Sequence, residues 1–320
     1  MDVDRDAELE RQEEFLDSEE VFRRNACTII EEMLELNNDP TEHTTFLVDE
    51  VLHCIFFLGN INKPIITPEE IVNDEEMLNC LKRIFPRAFR LFSSQLPKRD
   101  PFSCVLDMIV HLTGESNEDQ IIEQLRNLNT QLARGEENHL VPSVICVSQN
   151  TQRRGSARHY GLSMSTSGKT PGQIMVAASC FSAWDSDVAD AVMTYYPNKQ
   201  KKPYFDGRIN LPKYVRCEAF NLYDRSPKAP CKSCGDLFGL ATTETKGWAH
   251  GNCAEVGSVS NLFKNEEEVQ VQAQSQSDTV TKPENRKRVR ERVRNHLKML
   301  LKEKNFSWDN KFYPDIVFNL

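Results

Sequence analysis

Between residues 7 and 36 the apolar side chains fall at Phe15, Phe22, Ile29 and Leu36, with Leu16, Ile30, Met33 and Leu34 beside them. Steps of seven with near neighbours at three and four trace one face of a helix, and the intervening Glu and Arg make the opposite face polar. The same spacing predicts further helices near 45–58, 68–96, 101–112 and 117–134, punctuated by Pro40, Pro64, Pro68, Pro97 and Gly114. Thr67-Pro68-Glu69-Glu70 has the form of a capped helix start with proline in the first turn. Residues 1–135 are therefore expected to form an all-helical domain. It contains no cluster of catalytic residue types, since His53 and His111 lie on apolar faces and read as core or boundary residues. Its expected role is to bind a protein partner.

The pattern changes at Leu140. VPSVICVS, RHYGLSMS and QIMVAASC are short runs rich in strand-forming residues, separated by Gly, Ser and Pro. FSAWDSDVADAVMTYY then returns to helical spacing, with Trp184, Val188, Ala191, Val192 and Tyr195 on one side and Pro197 as a stop. KYVRCEAFNLY follows as a strand, ahead of a Cys-x-x-Cys loop and a short helix. Residues 140–264 are thus expected to be an α/β zinc-binding domain, and 265–285, rich in Gln, Ser, Glu and Thr, a disordered linker. Residues 286–320 read as a basic amphipathic helix carrying Val289, Val293, Leu297 and Leu300, then an aromatic tail with Phe306, Trp308, Phe312, Tyr313 and Phe318. The expected fold class is α+β.

A chain of 320 residues is long enough for two domains. Ten cysteines would suggest disulfides in a secreted protein, but residues 1–20 are acidic and polar and offer no signal-like apolar stretch. A reducing, intracellular setting is expected, with most cysteines acting as small buried apolar residues. No apolar run approaches the roughly 18 residues of a membrane span. The net charge is −9, yet residues 286–304 hold nine Lys/Arg against two Glu. That segment is expected to meet either a polyanion or the acidic body of the protein itself. Arg286-Lys-Arg288 also leaves cytoplasm and nucleus open as locations.

Three cysteines stand in polar surroundings. Ala-Pro-Cys231-Lys-Ser-Cys234-Gly places two thiols on one turn, and Trp248-Ala-His250-Gly-Asn-Cys253 returns further donors. Softness and spacing point to one Zn2+. If His250 is the fourth ligand, C-x2-C-x15-H-x2-C is a closed structural knuckle. That arrangement resembles half of a LIM-type finger, and it implies a non-enzymatic interaction protein.

The strings Pro230-Cys231-x-x-Cys234 and Cys253-Ala254-Glu255 also resemble the two zinc motifs of the cytidine and deoxycytidylate deaminase superfamily. This resemblance implies Cys231, Cys234 and Cys253 as ligands around an open fourth corner and Glu255 as the catalytic acid/base. The substrate class it implies is a nucleobase, a nucleoside or nucleic acid, with hydrolytic activity either retained or lost. The resemblance also implies a deaminase-like core of strand, strand, helix, strand and then the P-C-x-x-C helix. One departure is plain: the family carries its C-A-E or H-A-E motif before the middle strand, where this chain has Cys180-Phe-Ser182, and here Cys253-Ala-Glu255 follows the Cys-x-x-Cys. A helix over 235–241 spans about 10 Å, and residues 242–252 reach back up to roughly 35 Å. Geometry therefore permits a helix starting at Cys253 to meet the same ion.

Other patterns carry less. Ser167-Gly168-Lys169-Thr170 ends like a phosphate-binding loop, but Ser163 stands where its first glycine belongs. His159, with Arg153, Arg154 and Arg158 nearby, reads as an ordinary strand residue or, under the deaminase reading, a pocket residue.

Overall fold

The computed structural model describes residues 2–38, 44–132, 139–166, 168–274 and 277–314. It is a mixed α+β molecule. Helices α1 (Asp2–Leu36), α2 (Thr45–Ile61), α3 (Pro68–Ile71), α4 (Glu75–Ile84), α5 (Pro86–Leu91), α6 (Pro101–Thr113) and α7 (Glu118–Gln131) come first. The face of α1 predicted from spacing is buried at Phe22, Ile29, Ile30 and Met33, while the side chains of Phe15 and Leu16 lie outside the described residues. The single helix expected over 68–96 is three short ones. Thr67 caps α3 in a reciprocal box with Glu70, and Asp74 then caps α4 by accepting from the Met77 amide, so the chain restarts instead of continuing. Pro86 opens α5.

The second half adds β1 (Val144–Asn150), β2 (Arg158–Leu162), α8 (Lys169–Ser182), α9 (Ser186–Tyr195), β3 (Val215–Asn221), β4 (Pro227–Lys228), α10 (Lys232–Phe238) and α11 (Ala254–Asn265). QIMVAASC is helical, in α8, and not a strand: Gly172, Ile174 to Cys180 are buried on every side, so the run carries no alternation to mark it as a strand or helix. Cys180 consequently lies near the end of that helix, not at its start. The sheet order is β2-β1-β3-β4 with every pairing antiparallel. Its two faces do different work. Ile145, Val147, Tyr160 and Phe220 share one face, on whose margin Arg158 and Arg216 both pair with Glu118 at the start of α7. Cys146, Ser148, Gly161 and Ala219 point the other way, toward α11.

Residues 265–285, expected as a disordered linker, instead hold α12 (Glu267–Ala273) and α13 (Asp278–Thr281). Val269 and Ala273, one helical turn apart, are fully buried, and two well-placed apolar residues are enough to dock so short a helix. The basic segment is α14 (Pro283–Glu303), laid against α8 and α9 through Val289, Val293, Leu297, Leu300 and Leu301. Arg286 pairs with buried Asp190 at 2.7 Å, and Arg290 and Arg294 lie over the Phe181 ring. The aromatic tail then runs beside residues 94–96, with Tyr313 buried under α2 residues His53 and Asp49; Phe318 lies outside the described residues. Buried apolar side chains from Phe22 to Phe306 form one continuous cluster through both halves. No helix among the described residues is long and apolar enough to cross a membrane.

Candidate metal centre

Cys231 sits immediately before α10, and Cys253 immediately before α11, each in extended backbone. The turn between Cys231 and Cys234 is closed by amides of Cys234 and Gly235 on the Cys231 carbonyl, which brings the two side chains to the same side. The return from residue 247 to Cys253 needs Gly251 at φ 106°, where a Cβ would stand 2.6 Å from Val176. Asn252 then accepts the Met164 amide, tying the Cys253 turn to the end of β2.

These devices gather the Cys231, Cys234 and Cys253 sulfur atoms within 4.8 Å of one another. Cys231 lies 3.6 Å from Cys234 and 3.5 Å from Cys253, far beyond a disulfide bond of about 2.05 Å. Thiol contacts from Cys234 and then Cys253 hold Cys231 far below its ordinary pKa, helped by backbone amides of Trp248 and Cys234. Contact with Cys231 pushes Cys234 and Cys253 up and burial adds to both, while the Cys234 thiol pulls Cys253 the other way. A group of three soft donors, one of them already favoured as thiolate, fits a zinc-type ion. It is the one set of His, Cys and carboxylate groups among the described residues that meets on a metal-sized point.

Glu255 joins this corner. It lies in the first turn of α11 and is only 5% exposed. Burial pushes its carboxyl above the usual range, opposed by a local backbone bond and by the Cys234 thiol, which donates toward the carboxylate. Cys231, Cys253 and Glu255 line a cavity of about 340 Å³, together with Val144, Met164, Ala219, Lys228, Trp248 and Asn252. The corner thus opens onto space large enough for a small molecule.

His250 does not join the thiols. Its ring lies flat on Tyr195, centroids 4.1 Å apart and planes within 2°, and its Nε2 is 3.6 Å from the Asp236 carboxylate. His159 also lies away from the cavity, in β2 with its Nε2 3.9 Å from Glu266, so it is a buried strand residue. Arg158 is spent on Glu118, and Arg153 and Arg154 are exposed in the β1–β2 turn. Gly168 precedes α8 with Lys169 and Thr170 in its first turn, while Ser167 lies outside the described residues.

Sequence reasoning missed the support beneath the corner. Gly161 on β2 has no room for a side chain: a Cβ there would stand 2.2 Å from the Ser258 amide and 2.4 Å from the Ala254 carbonyl. Across from it, Ser148 and Ser258 hydroxyls meet at 2.9 Å. Small residues on both surfaces let α11 lie on the sheet at backbone contact, and that seat sets where Cys253 and Glu255 end up. The signal was present, because a glycine inside the strand-like RHYGL marks close backbone approach. Cys146 and Cys217 also meet at 3.7 Å on this face, behind Ala254. Comparison of the chain with protein-family models, with curated proteins and with solved structures finds no match.

Proposed function

We propose that Cys231, Cys234 and Cys253 hold one zinc ion and that the centre is a hydrolytic one, acting on an amino-substituted ring of the nucleobase type. The observation that carries this is the buried Glu255 carboxylate beside the three sulfurs, on the wall of a cavity that Cys231 and Cys253 also line. A purely structural zinc site has no use for a buried acid facing open space, and burying an acid there is unfavourable unless it serves a purpose. Three protein donors also leave one position of a tetrahedral ion for a non-protein ligand. The order of strand, strand, helices, strand and Cys-x-x-Cys helix is consistent with the deaminase-like core suggested by the two motifs.

Zinc at this corner would supply Lewis acidity, making water a usable nucleophile near neutral pH. The protein's own residues account for the rest. Glu255 takes a proton from the water as its oxygen bonds to the amino-bearing ring carbon, and returns it to the ring nitrogen. The same carboxylate then passes the remaining proton of the newly bonded hydroxyl to the amino group, the carbon–nitrogen bond breaks to release ammonia, and the ring carbon is left as a carbonyl. Val144, Met164 and Ala219 give the cavity apolar walls that exclude bulk water around the reacting atoms.

The rival reading is the closed knuckle with His250 as fourth ligand, and the stacking of His250 on Tyr195 argues against it. Paired substitutions test the two. Under the hydrolytic reading Glu255→Gln keeps zinc and fold but lowers deamination of a cytidine and adenosine panel at least 100-fold, and His250→Ala keeps one zinc per chain. Loss of zinc from His250→Ala, with Glu255→Gln inert in every assay, overturns the reading in favour of the knuckle.

A further inference from the structure

The mouth of the cavity differs in chemistry from its floor. Trp248 lines it and is 61% exposed, the most exposed of the large apolar side chains among the described residues. Its backbone is anchored, since the Ser233 hydroxyl donates to the Trp248 carbonyl at 2.6 Å, and the Lys246 ammonium stands 5.4 Å from the indole centroid. Around this ring Lys228, Lys232 and Lys246 are all exposed, and Lys228 is itself on the cavity wall. The Lys232 amide bonds the Lys246 carbonyl at 3.2 Å, so the two lysine-bearing segments are joined. Glu244 is the exposed acid on the same loop. On a chain of net charge −9 these cations mark a local reversal of sign.

We infer that this mouth binds single-stranded nucleic acid, with one base in the cavity and a neighbouring base stacked on Trp248. The inference rests on the reading of the cavity as a site for a nucleobase-type ring, and it narrows the substrate from a free base or nucleoside to a base within a strand. An exposed indole on an anchored backbone offers a flat face that any base can use. Lysines at the rim supply the charge that a phosphate backbone requires, and a free base or nucleoside would leave that charge unmatched. A duplex presents its base faces only to each other, so neither the ring nor the cavity is available to it.

Fluorescence anisotropy with labelled 12-mers of oligouridylate and oligothymidylate, on the full zinc-loaded chain, tests this directly. Both strands are expected to bind, a 12-base-pair duplex much more weakly, and Trp248→Ala to weaken strand binding about tenfold or more. The double change Lys228→Glu, Lys246→Glu is expected to flatten the log–log salt dependence by about 1.4. Exchanging Arg292 and Lys298 on the exposed side of α14 for Glu is expected to leave binding unchanged. The inference is overturned if Trp248→Ala binds as well as wild type, if uridine monophosphate competes as effectively per molecule as the 12-mer, or if the α14 variant alone abolishes binding. Zinc content and circular dichroism of each variant guard against unfolding. Failure of the hydrolytic reading appears separately, as absent zinc or absent deamination in a chain that still binds the 12-mer through Trp248.

Discussion

Two buried polar clusters, one in each half of the molecule, contain similar ingredients and come to opposite ends. In the helical half His53, fully buried in α2, stacks on Tyr313 with ring centroids 3.9 Å apart. Tyr313 donates to Asp49 at 2.6 Å, and Arg87 stands 3.7 Å from that carboxylate and 5.0 Å from the tyrosine ring. A histidine, an acid and a phenol are thus locked against one another, and the tail carrying Tyr313 covers them. The sulfur corner has an acid and three thiols: the three sulfurs converge on one point, and Cys231, Cys253 and Glu255 line a cavity. Titratable residues alone therefore do not make a site. Convergence of like donors and access from outside separate the two clusters.

The sharpest way to break this comparison is to remove a thiol. Cys231→Ser is expected to take the zinc content from near one per chain to near zero, whereas Cys217→Ser, on the neighbouring sulfur contact, retains it. At free zinc a thousandfold above the dissociation constant, metal binding contributes about 4 kcal/mol to the folded state. A chelator should lower the melting temperature of wild type and leave that of Cys231→Ser unmoved. A folded wild type that binds no zinc in metal analysis would remove the distinction between the clusters.

Gly161→Ala attacks the corner from below without touching a ligand. Its added methyl must displace backbone of α11, since the obstructing atoms are the Ser258 amide and the Ala254 carbonyl. Overpacking of this kind costs about 1–3 kcal/mol, and the helix that moves is the one bearing Cys253 and Glu255. Denaturant unfolding is expected to show that loss, and competition with a chromogenic chelator a weaker zinc affinity. Unchanged affinity would mean that the sheet contact does not position the metal corner.

The helical cluster makes a smaller prediction, in pH. Burial pushes the His53 imidazole down from 6.5 to about 3. A depressed folded-state value contributes stability that is present above pH 6.5 and is lost as the pH falls from there toward 3, because only the unfolded chain takes up the proton. By linkage the loss reaches about 2 kcal/mol at pH 5. His53→Phe, which keeps an aromatic ring against Tyr313, is expected to lack this component. The difference in unfolding free energy between wild type and variant should therefore shift by about that amount between pH 7 and pH 5. A pH-independent difference would show that the ring is protonated or solvated in place.

Both clusters had a trace in the sequence, of unequal clarity. His53 was legible as a core residue from its apolar neighbours in LHCIFFLG, but its contact with Tyr313, 260 residues later, has no local signature. The three cysteines stood out because Lys232, Ser233, Gly251 and Asn252 around them are too polar for a core. His250 shared their spacing and nevertheless went elsewhere. Spacing along the chain does not show that the imidazole stacks on Tyr195, a residue 55 positions earlier. The helical α8 and the short α12 leave no clear sequence signature, for related reasons. A run buried on every face shows no period, and a polar segment needs only Val269 and Ala273 to be held down.

Periodicity, turn residues and the two cysteine motifs by themselves determined the elements over 7–36, 45–58 and 286–304, the strands around Val144, His159 and Cys217, and the three soft donors. These properties are local: each depends on residues within a few turns of chain. Which donors meet, how close α11 lies to the sheet, and that a buried acid faces the cavity were decided by tertiary structure alone. They depend on backbone contact between segments a hundred residues apart, as Gly161 with Ser258 shows. The basic helix makes the same point, since its charge was legible but its docking on Asp190 and Phe181 is set by surfaces that only the folded body presents.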